Sequence, residues 1–230
     1  MELPPILHAD QMEHAAELLL AYYTRVLTSG HVRTAARFDT WAGGGDSAEV
    51  ANRITADDLV ALSLLGEEIP GPAAVGLLES KAPEIGALLE LIPVDLQMAD
   101  VTAEEYVRVF GKDSPAWMLW DLIRGYQGGQ WRLGSTKTSK LMARKRPRLI
   151  PIWDPLVARS AGLGTSLTQW EEWHAVLRAN GCELAGRLDA VQDLAGLPAP
   201  VSTLRTMDVV LWMDGKQRGF KMAPGANALG

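Results

Sequence analysis

Residues 128–164, GGQWRLGSTKTSKLMARKRPRLIPIWDPLVARSAGLG, join a glycine turn, a cationic segment and an Asp-Pro step. A helix is predicted from about Thr136 to Arg146, because Pro147 lacks an amide hydrogen and cannot continue it. The Asp-Pro pair at positions 154 and 155 is typical of a helix start, where the carboxylate accepts free amides and proline takes the first position. The stretch therefore predicts two helices separated by a short extended connector.

Helical spacing of apolar residues continues along the rest of the chain. Four segments have a Thr or Asp followed three residues later by an acid, the pattern of a capping box: Asp10–Glu13, Thr55–Asp58, Thr102–Glu105 and Thr168–Glu171. No alternating run is long enough for a sheet. We therefore predict an all-α chain with a single compact unit over residues 1–214. The last helix is expected to end at Gly215, and the glycine-rich segment 215–230 is expected to be a disordered tail.

Composition excludes several classes of protein. The 230 residues are 47% hydrophobic and 22% charged, as in ordinary globular proteins. A single cysteine, Cys182, cannot form an internal disulfide or a four-cysteine metal centre, which favours the reducing cytoplasm. The four histidines have no metal-binding spacing, so no metal and no cofactor are expected. No apolar run is long enough for a membrane helix, and no secretory leader is recognisable.

Positive charge is concentrated in one segment although the net charge is −6. Six of the 22 basic residues fall between positions 137 and 148: Lys137, Lys140, Arg144, Lys145, Arg146 and Arg148. On a helix, Lys137, Lys140 and Arg144 share a face because they are three and four residues apart. Two interpretations are open, a solvated helix face or a phosphate-binding face. The acidic total argues against a nucleic-acid binder, whereas a local basic stripe favours one.

The order of motifs in this stretch resembles the helix-hairpin-helix DNA glycosylases. That superfamily has a glycine hairpin, a helix opening with Lys-Thr-Ala, and an apolar-Pro-apolar segment that ends in aspartate. This chain has Lys137-Thr138-Ser139, then residues 150–154 (IPIWD), then Val157, Arg159 and Leu163-Gly164. The chain also resembles an uncharacterised actinobacterial family with a Lys-Arg-Pro-x-Leu-x-Pro-x-x-Asp core, at residues 145–154, and a similar ending, at residues 204–212.

The resemblance implies a glycosylase-like helical bundle that binds duplex DNA and hydrolyses a base–sugar bond. Asp154 would then stabilise the positive charge that develops on the sugar, and would orient or deprotonate water. Lys137 lies close to the lysine that some members use to form a Schiff base. Trp131 and Trp153 would stack on a flipped base. The residues expected to contact DNA are Gly134, Ser135, Thr136, Lys137, Thr138, Lys140, Arg144 and Arg148.

The chain departs from the superfamily pattern at several positions. Only Gly134 lies in the hairpin turn, where two glycines are usual, and Trp153 replaces a small aliphatic residue. The span from the helix to Asp154 is one residue short. Two alternatives therefore stay open beside the glycosylase: a non-catalytic nucleic-acid binding module of the same fold, and a cytosolic helical interaction protein.

Overall fold

The computed structural model describes residues 1–125 and 133–220, and these residues are mainly α-helical. The prediction of an all-α fold is confirmed: the β pairing within these two ranges is limited to an isolated bridge between Val26 and Val32. No helix within the described ranges is long and apolar enough to cross a membrane. The helices are α1 (Met12–Thr24), α2 (Ala56–Leu64), α3 (Gly71–Val75), α4 (Ala82–Glu90), α5 (Tyr106–Phe110), α6 (Pro115–Arg124), α7 (Ser135–Lys145), α8 (Pro155–Ala161), α9 (Gln169–Ala195) and α10 (Thr203–Gln217).

Two of the four predicted capping boxes form. The Thr55 amide donates to Asp58 Oδ2 (2.8 Å), and the Asp58 amide donates back to Thr55 Oγ1 (3.3 Å). The Thr102 amide donates to Glu105 Oε2 (3.1 Å), and the Glu105 amide donates to Thr102 Oγ1 (3.2 Å). The Thr55 pair caps the start of α2, whereas the Thr102 pair closes the turn at residues 103–105 that precedes α5.

The other two predicted boxes are wrong. Asp10 lies inside a short 3-10 turn, and α1 begins after it without a side-chain cap. The Thr168 hydroxyl donates to Glu172 Oε1 (2.8 Å), and Thr168 makes no side-chain cap to α9. In both places the local pattern allows a box, but another local hydrogen bond or turn replaces it.

Two helix ends also differ from the prediction. Helix α10 continues through Gly215 to Gln217, so Gly215 does not end it. Gly215 is buried, and a Cβ atom there would contact Ser160 and Leu156 of α8. The glycine therefore serves close packing between α10 and α8. Helix α9 is interrupted at residues 179–182, where Asn180, Gly181 and Cys182 have positive φ angles.

One hydrophobic cluster extends from the first residues of the chain to α10. Helix α10 packs against α1, α8 and α9, and α1 also packs against α9. Helix α7 packs against α2 and α6, and α6 packs against α4. The basic segment of the sequence is therefore an internal helix, with neighbours on more than one side.

The glycine-rich loop at residues 43–45 lies against the end of α7. A Cβ atom on Gly45 would lie 2.6 Å from Arg144 Cγ and still closer to the Arg144 carbonyl oxygen. The Gly45 carbonyl also accepts a hydrogen bond from Lys145 Nζ (3.1 Å). Glycine is required here because no side chain fits between the loop and the helix backbone.

We predict that Gly45→Ala lowers the free energy of unfolding by about 1–3 kcal/mol, the usual cost of overpacking. Gly186→Ala is the matched control, because Gly186 lies in α9 and a Cβ there meets nothing within 4 Å. That change is expected to stabilise the protein by about 0.5–1 kcal/mol, since alanine favours a helix. Urea unfolding of both variants checks the prediction; equal effects would contradict the close approach at Gly45.

Candidate functional site

Four of the six cations in the basic segment are buried. Lys140, Arg144, Lys145 and Arg146 are between 1% and 4% exposed. Lys137 is half-buried and Arg148 is exposed. Both interpretations of the sequence, a solvated face and a phosphate-binding face, required exposed side chains. Both interpretations are therefore wrong for Lys140 and Arg144. These side chains are buried because they find hydrogen-bonding partners inside the protein.

Arg144 joins α7 to the loop before α2. Its guanidinium donates to Asp58 Oδ1 (3.3 Å) and to the carbonyl oxygens of Phe38, Asp39 (3.0 Å) and Trp41. The Trp41 carbonyl also accepts from the Gly44 amide (3.0 Å), whereas Phe38 and Asp39 lie between two short 3-10 turns. Arg144 thus supplies hydrogen bonds to the Phe38 and Asp39 carbonyls, which a regular helix would otherwise satisfy.

Lys145 and Arg146 make similar connections. Lys145 Nζ lies 2.6 Å from Asp58 Oδ2 and donates to the Val50 carbonyl (3.0 Å). Burial lowers the pKa of Lys145, and the charge of Asp58 opposes that effect. Arg146 donates to Asn52 Oδ1 (2.7 Å) and to the carbonyls of Ile92, Ala51, Leu89 and Lys145. Burial lowers the pKa of Arg146 to about 10, so the guanidinium stays charged at neutral pH.

We predict that Arg144→Ala destabilises the protein by about 3–5 kcal/mol, because it removes one partner of a buried ion pair. Arg148→Ala is the control, since Arg148 is exposed and lies 3.8 Å from Asp46 at the surface. An exposed pair contributes about 0–1 kcal/mol, so the control is expected to unfold almost like the parent. Chemical denaturation measures both; similar small losses would show that Arg144 is not buried in solution.

Lys140 faces a cavity to which several helices contribute. The cavity has a volume of about 270 Å³. The lining residues come from α1, α2, α7, α10 and the segments between helices: Tyr22, Leu27, Arg33, Thr34, Ala35, Leu64, Leu65, Lys140, Ile152, Asp154, Arg205, Asp208, Val209 and Trp212. The cavity therefore has charged side chains at its floor and apolar and aromatic side chains at its walls, as ligand pockets commonly do.

Asp154 is held at this cavity by two contacts. Its Oδ1 accepts from the Leu156 amide (2.9 Å), which caps α8, and its Oδ2 lies 3.5 Å from Lys140 Nζ. The predicted helix-capping role is thus observed. Lys140 Nζ also donates to Glu67 Oε1 (2.7 Å), so one lysine lies between two carboxylates. Asp154 is 8% exposed and Glu67 is 5% exposed.

A second charged group, centred on Arg205, completes the floor. Its guanidinium donates to Asp208 Oδ2 (2.5 Å), Asp39 Oδ2 (3.0 Å) and the Tyr22 hydroxyl (3.0 Å). Burial raises the pKa of Asp208 to about 6; Arg205 opposes this, and the charge of Asp154 adds to it. Burial also raises the pKa of Tyr22. Asp208 is therefore a carboxyl group that can hold a proton near neutral pH.

The remaining predicted residues lie apart from the cavity lining. Lys137, the second catalytic candidate, does not line the cavity. Gly134 precedes α7 and is half-buried, and Ser135, Thr136 and Thr138 are 7%, 8% and 0% exposed. Buried hydroxyls in this conformation are not available to phosphate groups of a duplex.

The two predicted stacking residues have different outcomes. Trp131 lies outside the described residues. Trp153 is half-buried, does not line the cavity, and exchanges main-chain hydrogen bonds with the Ser139 hydroxyl. Trp212 lines the cavity instead, with its ring 5.5 Å from the Arg33 guanidinium carbon. Sequence reasoning missed Trp212, although it lies four residues after Asp208, a spacing that places both on one helix face.

One protein family matches most of the chain. A model described as a family of unknown function (DUF6308) matches residues 15–215. The chain belongs to this family. The matched range includes every residue that lines the cavity, but a DUF6308 assignment carries no activity, so the glycosylase resemblance stays a hypothesis. No curated protein and no solved structure matches the chain.

Proposed function

We propose that the cavity is a hydrolytic site that cleaves the bond between a nucleobase and its sugar, with Asp154 as the essential carboxylate. The observation that carries the proposal is that Asp154, singled out by its sequence motif, lines the cavity beside Lys140 and Asp208. Cleavage of an N-glycosidic bond builds positive charge on the sugar, and a fixed carboxylate stabilises that charge in a water-poor site.

The dimensions of the cavity suit a small planar ligand. Its volume of about 270 Å³ is close to the lower limit for ligand pockets. Tyr22 and Trp212 meet edge to face, with ring centroids 6.0 Å apart, and both line the cavity. Aromatic walls favour a flat heterocycle, and the charged floor offers hydrogen bonds to its edge. A single base that has been turned out of a strand meets these requirements.

Two cations of the basic segment that keep access to solvent support the proposal that the sugar–base unit belongs to DNA. Lys137 and Arg148 keep access to solvent, whereas four other cations are committed to internal partners. A duplex is therefore expected to make few phosphate contacts with this segment. Because each neutralised phosphate releases counterions, few contacts mean a shallow dependence of affinity on salt.

We predict that replacing Lys137 and Arg148 with alanine weakens duplex binding to all sequences alike and flattens the slope of log affinity against log salt by at most about 2. Arg53→Ala with Lys112→Ala is the matched control, because both residues are exposed and lie outside the segment. Fluorescence anisotropy across a salt series measures the slopes. Identical slopes for the two double variants would remove the basic segment from the interface.

We predict that Asp154→Asn lowers single-turnover base release by two or more orders of magnitude, about the loss expected for one well-placed electrostatic group. Asparagine keeps an oxygen for the Leu156 amide, and Lys140 keeps Glu67, so the melting temperature is expected to change little. The assay uses duplex and single-stranded oligonucleotides that contain damaged or modified bases. Asp193→Asn, at an exposed position on α9, is the control and should release bases like the parent.

A non-catalytic binding module is the second candidate. It is favoured by the two structural contacts of Asp154, which caps α8 and accompanies Lys140. In that case the parent binds nucleic acid and releases no base from the panel. An Asp154→Asn variant as active as the parent would instead leave the enzyme in place with a different carboxylate.

A further inference from the structure

Asp208 differs from Asp154 and Glu67, the two carboxylates that pair with Lys140, in how its oxygens are used. Asp154 has a partner at each oxygen, and Glu67 Oε1 accepts from Lys140. Asp208 Oδ2 accepts from Arg205, whereas its Oδ1 is buried and has no hydrogen-bond partner among the described residues. A buried acceptor without a partner is costly, so this atom is where a proton or a ligand group is expected.

The positive charges near Asp208 do not fully balance the negative charge of its carboxylate. Arg205 is shared between Asp208, Asp39 and the Tyr22 hydroxyl, so its charge is divided. The charge of Lys140 opposes that of Asp154 at Asp208, but Lys140 also pairs with Glu67. The groups that act on this carboxyl are Arg205 on its own helix, Tyr22 on α1, Lys140 on α7 and Asp154 at the start of α8. Arg33 also lines the cavity, while Asp39 and Glu67 pair with Arg205 and Lys140.

We propose that Asp208 is the general acid that protonates the leaving base, while Asp154 serves the sugar and the attacking water. This inference rests on the proposed function of the cavity. The bond from the sugar carbon to the base nitrogen breaks, its electron pair goes to the base, and the Asp208 carboxyl proton passes to the base. Asp154 accepts a proton from water as the water oxygen bonds to the sugar carbon. Asp154 then releases its proton to solvent, and Asp208 takes up a proton from solvent for the next cycle.

Two other groups in the cavity are less suited to this step. Burial raises the pKa of Tyr22, which makes its hydroxyl a poorer acid than an unburied phenol. Lys140 is held by Glu67 and lies near Asp154, so its protons are already directed to carboxylates. A general acid works best when its pKa lies near the working pH, and burial raises the pKa of Asp208 to about 6.

The test compares two leaving groups in the full-length protein. A neutral purine needs a proton to leave, whereas an N7-methylated purine already carries a positive charge. Asp208→Asn is expected to slow release of the neutral base by roughly 10²–10⁴-fold, the usual contribution of general acid catalysis, and to slow the methylated base by less than about tenfold. Asp214→Asn, on the same helix but beside Arg218, is the control and should match the parent for both bases.

The pH dependence gives a second readout that a structural role would not change. Parent activity on the neutral base is expected to fall as the pH rises above about 6, because Asp208 then loses its proton. This limb should disappear in Asp208→Asn. Equal slowing of the two bases, or a limb that persists in the variant, overturns the proposal while leaving Asp154 as the essential carboxylate. Release of neither base by the parent instead rejects the proposed function, and the role of Asp208 with it.

A direct titration covers the case in which Asp208→Asn folds poorly. Carbon NMR of the parent labelled at its aspartate carboxyls follows each group with pH, and sequential backbone assignment of the parent identifies the Asp208 signal. A midpoint near 6 supports the proposal. A midpoint near the ordinary aspartate value of about 3.9 overturns it, whatever the activity.

Discussion

The constraint on which the rest of the structure depends is the burial of four cations, three on α7 and one, Arg146, directly after it. Removing a charge from water costs several kcal/mol unless partners replace the water, so the surrounding chain must bring acceptors to this helix. Asp58 accompanies Arg144 and Lys145, and Arg146 is surrounded by backbone carbonyls. The irregular segment before α2 has carbonyls without helical partners, so the cations and the loop satisfy each other.

The same constraint places the cavity. Lys140 lies one turn before Arg144 and faces the interior, where it meets Glu67 and the Asp154 carboxylate at the start of α8. Helix α10 adds Arg205 and Asp208 because it packs between α1 and α8. The residues that line the cavity include two carboxylates, Asp154 and Asp208, beside three cations, Arg33, Lys140 and Arg205. Burial, to which the charge of Asp154 adds, raises the pKa of Asp208, so this carboxyl group holds its proton more tightly than an exposed aspartate would.

An exposed cationic stripe and an internal cationic helix have different consequences for function. A stripe would bind any polyanion, with an affinity dominated by the number of phosphates. The cations of an internal helix instead stabilise the fold through buried partners. Any chemical activity then depends on the residues of the cavity. The proposed activity thus depends on recognition of one small group in a polar pocket, and only secondarily on general attraction to nucleic acid.

The sequence by itself determined the features that depend on neighbours within four residues. These include the helices, the boxes at Thr55 and Thr102, and the cap by Asp154. Only the tertiary structure decided that Arg144 is internal, because its partner Asp58 lies 86 residues away. It also decided that Trp212, rather than Trp153, lines the cavity. The physical reason is that local hydrogen bonds follow from spacing along the chain, whereas the compensation of a buried charge depends on distant groups that folding brings to it.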